Sequence, residues 1–229
     1  MKSTFIISVI MLISNFAFSQ NLGINVQGNY SRPVKKQFLN NPKVMADFCE
    51  GYPTNWINNY VSTEISIIKD GQTIKAIGKN DKLTTQQKEI IRLAELGTQI
   101  NIEVKYKLPN AVTNKEDDFT MEFPLTVIPE VEAEYLPGKK DLVSYLNENT
   151  LKKISDADSK KIQNTEVVFT VSELGKVENI KIIKSSGFDV IDKMIVDAIA
   201  SLQDWKPAEN IDGVKVKQEF KYSLQSMGC

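Results

Sequence analysis

Hydrophobic and polar positions alternate most cleanly near the carboxyl end. Over residues 214–224, Val214, Val216, Phe220, Tyr222 and Leu224 fall on one side, and Lys215, Lys217, Glu219, Lys221 and Ser223 on the other. That is the pattern of a strand with one dry and one wet face. Residues 165–172 and 177–184 are rich in β-branched side chains, and Gly175 lies in the short stretch between them, so a hairpin is predicted. A helix behind an Asp189 cap follows. Ile191, Met194, Ile195, Ala198, Ile199 and Leu202 recur three and four apart and form one stripe, with Asp192, Lys193, Asp197 and Gln203 off it. Lys206 and Pro207 close the helical region.

The first half of the chain has its own periodicity. A strand is predicted over 60–67, a turn at Asp70 and Gly71, and a returning strand over 73–77. Thr84 with Gln87 forms a capping box that opens a short helix ending near Gly97. Residues 98–106 alternate, with Ile100, Ile102, Val104 and Tyr106 on one face; 110–118 is a polar loop; 119–127 is a last strand that Pro124 pushes toward an edge. Residues 20–58 carry turn signals at Pro42 and Pro53, a short helical turn over 44–48, and no other clear period. Tyr52, Trp56 and Tyr60 read as core or rim aromatics. Residues 129–137 are acidic and bracketed by Pro129 and Pro137, which marks a domain boundary; Glu130, Glu132 and Glu134 in it read as solvent-exposed. A helix opens after Gly138 with Leu142, Tyr145 and Leu146 inward.

At the amino end Lys2 precedes an apolar run over 5–18, and Ala17 and Ser19 fit a small-x-small site. A secretory signal peptide over 1–19, cleaved after Ser19, is expected. The run is interrupted by Ser8, Ser14 and Asn15 and is shorter than the about 20 apolar residues of a spanning helix. The domain plan is therefore a signal peptide at 1–19, a β-rich domain at 20–128, a linker at 129–137 and a second domain at 138–229.

Composition narrows the chemistry. The 229 residues carry 28 basic and 29 acidic side chains and no histidine. No basic stripe points to nucleic acid. Without histidine there is no Ser-His or Cys-His pair and no imidazole metal ligand. Gly138, Lys139 and Lys140 lack the earlier glycine and the following hydroxyl of a phosphate loop. Glu116, Asp117 and Asp118 lack the alternate spacing, the glycine bend and the closing glutamate of a calcium loop. No cofactor, metal or catalytic residue is expected. The two cysteines, Cys49 and Cys229, could pair in an oxidising compartment, or stand as a small core residue and a tail thiol.

Phe169, Val171, Gly175, Val177, Ile182, Ser185 to Gly187, Asp192, Ala198, Trp205 to Ala208, Gly213, Val216 and the closing strand occur in an order that resembles the C-terminal domain of TonB proteins, in the form common in Bacteroidetes envelopes. The resemblance spans about 136–224. It implies two helices on a three-stranded antiparallel sheet, with Gly175, Gly187, Trp205, Pro207 and Gly213 in structural roles. The Tyr-Pro pair such domains carry after the first helix is absent here; residues 152–156 stand in its place. Residues 60–128 more weakly resemble the β-sandwich domain of the gliding-motility and secretion protein GldM, on Asp70, Gly71, Leu83, Thr84, Gln87, Gly97 and the strand that follows. The fold class expected is α+β, with an N-terminal sandwich-like domain followed by the TonB-like one.

The TonB resemblance implies a non-enzymatic periplasmic protein associated with TonB-dependent transport. A strand at a sheet edge offers unpaired backbone groups that a foreign extended segment completes. The last strand is expected to be that edge, with Lys215, Lys217, Gln218, Glu219, Lys221 and Tyr222 meeting an outer-membrane receptor segment or a second copy of the chain. Family transducers carry an anchor with a functional histidine and a long Pro-rich arm; this chain has no histidine and a nine-residue linker, so recognition without the motor is expected. The alternative is an assembly protein of an envelope secretion or motility complex.

Overall fold

The computed structural model describes residues 21–227. The expected signal peptide and Cys229 lie outside the described residues. Among the described residues no helix is long and apolar enough to cross a membrane.

The chain opens with strand β1 (Asn21–Gly28) and a short strand β2 (Pro33–Lys35), then helix α1 (Lys36–Leu39) and a 3-10 turn at Met45–Asp47. Strands β3 (Asn59–Lys69) and β4 (Gln72–Gly78), helix α2 (Thr85–Leu93), and strands β5 (Gln99–Asn110) and β6 (Lys115–Ile128) follow. Next come β7 (Glu134–Tyr135), α3 (Lys139–Asn149) and α4 (Asp156–Ser159). The hairpin β8 (Thr165–Val171) and β9 (Val177–Lys184) leads to α5 (Asp189–Ala200), β10 (Trp205–Lys206), β11 (Ala208–Glu209), β12 (Lys215–Val216) and β13 (Gln218–Met227).

The first half builds a five-stranded sheet in the order β2-β6-β5-β3-β4. Its elements follow from local chemistry. Asp70 and Gly71 both take positive φ, 51° and 75°, the turn that matches the twist of a two-residue hairpin. Thr84 and Gln87 close the predicted capping box: the Gln87 N–H donates to Thr84 Oγ1 at 3.2 Å and the Thr84 N–H to Gln87 Oε1 at 2.9 Å. Ile65, Ile67, Ile100, Ile102, Val104 and Leu125 turn one way and bury against Leu39, Met45, Ile90 and Ile91. The domain is thus one sheet covered by helices and loop. The expected sandwich is corrected: Ile90 and Ile91 of α2 supply the cover that a second sheet would have given. The polar loop expected over 110–118 is mostly strand, because β5 and β6 run on as a two-stranded ribbon past Lys107, where pairing with β3 ends. Pro124 lies in an interior strand, but where β6 has no outer neighbour, since β2 pairs it only at Thr126, Val127 and Ile128.

The second half is α+β as expected, with α3 and α5 packed on an antiparallel sheet. Leu142, Leu146, Ile191, Ile195 and Ile199 meet Val167, Phe169, Val171, Tyr222 and Leu224. The sheet has four strands, in the order β1-β13-β8-β9. Its fourth strand comes from the start of the chain, so the boundary drawn at 20–128 is corrected: Asn21–Gly28 belongs to the second sheet. The linker is also part of the fold. Val131 bridges to Glu209, and Tyr135 pairs with Trp205.

Candidate partner-binding sheet

β13 is an interior strand. It pairs with β8 from Gln218↔Val171 to Leu224↔Thr165, and on its other side with β1 from Gly28↔Phe220 to Asn21↔Met227. The expected free edge is therefore occupied. The physical reason is the run Leu22, Ile24, Val26, which alternates with Gly23, Asn25 and Gln27. That is a short amphipathic strand, and it offers its dry face to the same core as Phe220, Tyr222 and Leu224.

The predicted site residues divide accordingly. Lys215 lies in β12, which pairs with β11 instead of continuing β13. Val214, expected to point inward with Val216, is in the turn before β12 and is exposed. Lys217 is exposed and ion-pairs with Glu178 of β9 at 2.7 Å. Lys221 is half-buried on the wet face, opposite Val168 and Gln27. Tyr222 is fully buried in the core, and burial pushes its phenol up to about 12. Gln218 is 6% exposed, in phase with the dry face. Its side chain accepts from the Ala133 N–H at 2.7 Å and donates to Glu132 at 2.8 Å. Glu219 accepts from Asn29 Nδ2 at 2.5 Å, and its carbonyl from the Asn29 N–H at 2.9 Å.

These last contacts form a latch where β1 ends. Tyr30 Oη donates to Glu132 Oε2 at 2.9 Å, the same oxygen that takes the Gln218 amide. Burial, then the bond to Glu132, pushes the Tyr30 phenol up to about 12. The Tyr30 ring lies across Gly28, where a Cβ would sit 2.1 Å from it. Glu132 and Glu130, read from sequence as solvent-exposed, are half-buried acceptors, Glu130 taking the Gln37 N–H at 2.7 Å. Only Glu134 of the three is exposed. A cleft of about 360 Å³ opens beside the latch between the two sheets, lined by Tyr30, Gly97, Thr126, Thr170, Lys217 and Glu219 among others. Sequence reasoning missed β1, Asn29, Tyr30 and Glu132. The alternation of Leu22, Ile24 and Val26 was the available signal for β1; nothing local announces the latch.

The structural residues support the sheet from below. Trp205 sits among Tyr135, Phe169 and Phe220, with ring centroids 5.5, 6.1 and 5.0 Å away. Gly175 has φ +71°, and a Cβ there would lie 2.2 Å from the Trp205 carbonyl oxygen. Pro207 is half-buried beside it. Gly187 and Gly213 take φ of 88° and 74° in turns. Asp192, off the apolar stripe, is nonetheless buried, because it accepts from Ser185 Oγ at 2.5 Å and from the Ser186 N–H at 2.8 Å. Burial opposes its ionisation, but the bonds from Ser185 and Ser186 outweigh it and hold the carboxyl below its usual range. Cys49 is buried in the first core and forms no disulfide among the described residues; burial pushes its thiol up to about 11.

Residues 156–224 match the family model described as Gram-negative bacterial TonB protein C-terminal. The match takes in α4, β8, β9, α5 and most of β13, and leaves β1 outside it. No curated protein and no solved structure matches the chain.

Proposed function

Taking residues 156–224 as a TonB C-terminal domain, we propose that the chain is a non-enzymatic protein of the periplasm that binds an extended segment of an outer-membrane transport receptor by strand addition. At the family level such domains serve energy transduction and interaction with proteins such as outer-membrane receptors. The observation that carries the reading is the pairing of β1 with β13. Eight successive residues of an otherwise separate segment lie antiparallel on the family domain's last strand. In strand addition the backbone ladder supplies affinity, and pockets for alternate side chains supply selectivity. No bond to carbon, phosphorus or metal need form, in keeping with a chain that has no histidine.

The test is capture of the full chain on immobilised periplasm-facing segments of TonB-dependent receptors. Saturable binding of one segment, lost when the segment carries a mid-strand proline, supports the reading. Failure of every receptor segment to bind sinks it.

A further inference from the structure

We infer that β1 is the protein's own occupant of the strand site on β13, and that a partner segment binds there by exchanging with it. This rests on the strand-addition reading and adds where the partner goes and what it must look like.

The second sheet ends at β9 on one side and β1 on the other. The β9 end is guarded. Its ladder with β8 is irregular at Glu166/Val167 and at Val168/Thr170, Asn179 turns to φ +54°, and Lys181 and Lys184 are exposed. Bulges and lysines are the features that keep an edge from recruiting another strand. Although Ile182 and Ile183 are exposed on β9, the regular ladder on offer to a guest is at the other end.

There β1 is the least embedded strand with a full ladder to β13. Only Val26 of its dry-face side chains is buried, while Leu22 and Ile24 are half-buried. In β8, by contrast, Val167, Phe169 and Val171 are all fully buried. The remaining hold on β1 is concentrated at one end, in the bonds of Asn29 to Glu219 and of Tyr30 to Glu132. A strand held on one side by its ladder, by one buried and two half-buried side chains and by a terminal latch exchanges more readily than one buried along its length with partners on both sides.

The occupant also describes its replacement. A partner segment is extended and antiparallel to β13. It has aliphatic side chains at three alternate positions, as in Leu22, Ile24 and Val26, and small or polar ones between. Past its end it carries hydrogen-bond donors for the carboxylates of Glu219 and Glu132.

Exchange is read with a labelled synthetic peptide of residues 21–30 added to the full chain. Removing the latch with Asn29→Ala and Tyr30→Phe should tighten peptide binding by about tenfold, as expected when a competing strand loses charge-assisted bonds. A lock tests the reverse. Asn25 and Ser223 face each other across the ladder, so Asn25→Cys with Ser223→Cys, in a Cys229→Ser background, should abolish peptide binding when oxidised and restore it when reduced. Equal binding by locked and reduced protein overturns the inference, as does no binding after latch removal. Should the locked variant not fold, hydrogen exchange of the latch variant decides. Faster exchange in β1 with β8 unchanged supports the inference, and no change in β1 overturns it. The peptide is the chain's own, so no receptor is needed. A receptor segment captured equally by locked and reduced protein would leave strand addition standing and remove only the exchange. Self-peptide exchange without receptor capture would do the opposite.

Discussion

Tyr30 donates its phenolic proton to Glu132 across 2.9 Å, and so ties the end of β1 to the segment joining the two sheets. The same carboxylate oxygen holds the Gln218 amide at the start of β13. One acidic side chain therefore fixes three stretches far apart in sequence, and with them the position of the first strand on the last.

Replacing Tyr30 by Phe keeps the ring over Gly28 and removes the donor. A hydrogen bond to a charged acceptor in a half-buried site contributes about 1–2 kcal/mol. Urea unfolding of Tyr30→Phe should show a loss of that order with an unchanged slope. A loss near zero would mean that the latch does not hold.

Burial of the Tyr30 phenol, and after it the same bond, sets an alkaline limit. The Tyr30 phenol is pushed up from its ordinary value of 10.0 to about 12, so the folded state retains a proton that the unfolded chain gives up first. The stabilisation is fully present below pH 10 and is lost as pH rises through about 12. Burial pushes Tyr222 up to about 12 as well, so the readout is the difference between wild type and Tyr30→Phe. That difference should be constant below pH 10 and disappear by about pH 12.

Two glycines separate backbone strain from a steric clash. Gly213 has φ +74° with open space around it, whereas Gly175 has φ +71° with the Trp205 carbonyl oxygen 2.2 Å from where a Cβ would sit. Gly213→Ala should cost about 1–2 kcal/mol, the price of a left-handed residue. Gly175→Ala should cost more than about 3 kcal/mol, because backbone has to move. Thermal melts followed by tryptophan fluorescence compare the two. Equal losses would show that the contact with Trp205 is relieved without cost.

Asp192→Asn tests the buried carboxylate under α5. With its carboxyl held below the ordinary 3.8, wild-type Asp192 contributes stability that is present above about pH 4 and lost as pH falls through the lower folded value. The substitution should cost about 1 kcal/mol at neutral pH, with the gap closing in acid. Denaturant titrations at pH 7 and pH 3 measure it, and a gap that widens in acid would contradict the assignment.

Much of the second domain was legible in sequence. The β8–β9 hairpin and the apolar stripe of α5 are local patterns, and burial against each other leaves one arrangement for them. Asp192 was legible as a polar interruption, but not as the partner of Ser185, since that bond depends on where the turn at 185–187 goes. The same holds on a larger scale for β13. Its alternation fixed which face is dry and could say nothing of what lies beside it. The neighbour is a strand nearly 200 residues away that shares no local signal with it. The consequence is practical: a proline within β13, natural for probing an edge, would at Lys221, opposite Gln27, break an interior ladder and damage the fold itself.

Residue-resolved hydrogen exchange of β13 in the intact chain weighs most directly on whether β1 fills the row. Amides from Phe220 to Leu224 should all exchange far more slowly than the outward amides of β9, since each has a ladder partner, in β8 or in β1. Alternate β13 amides exchanging at the β9 rate would contradict the account, for that is the signature of a last strand standing open at the end of its sheet.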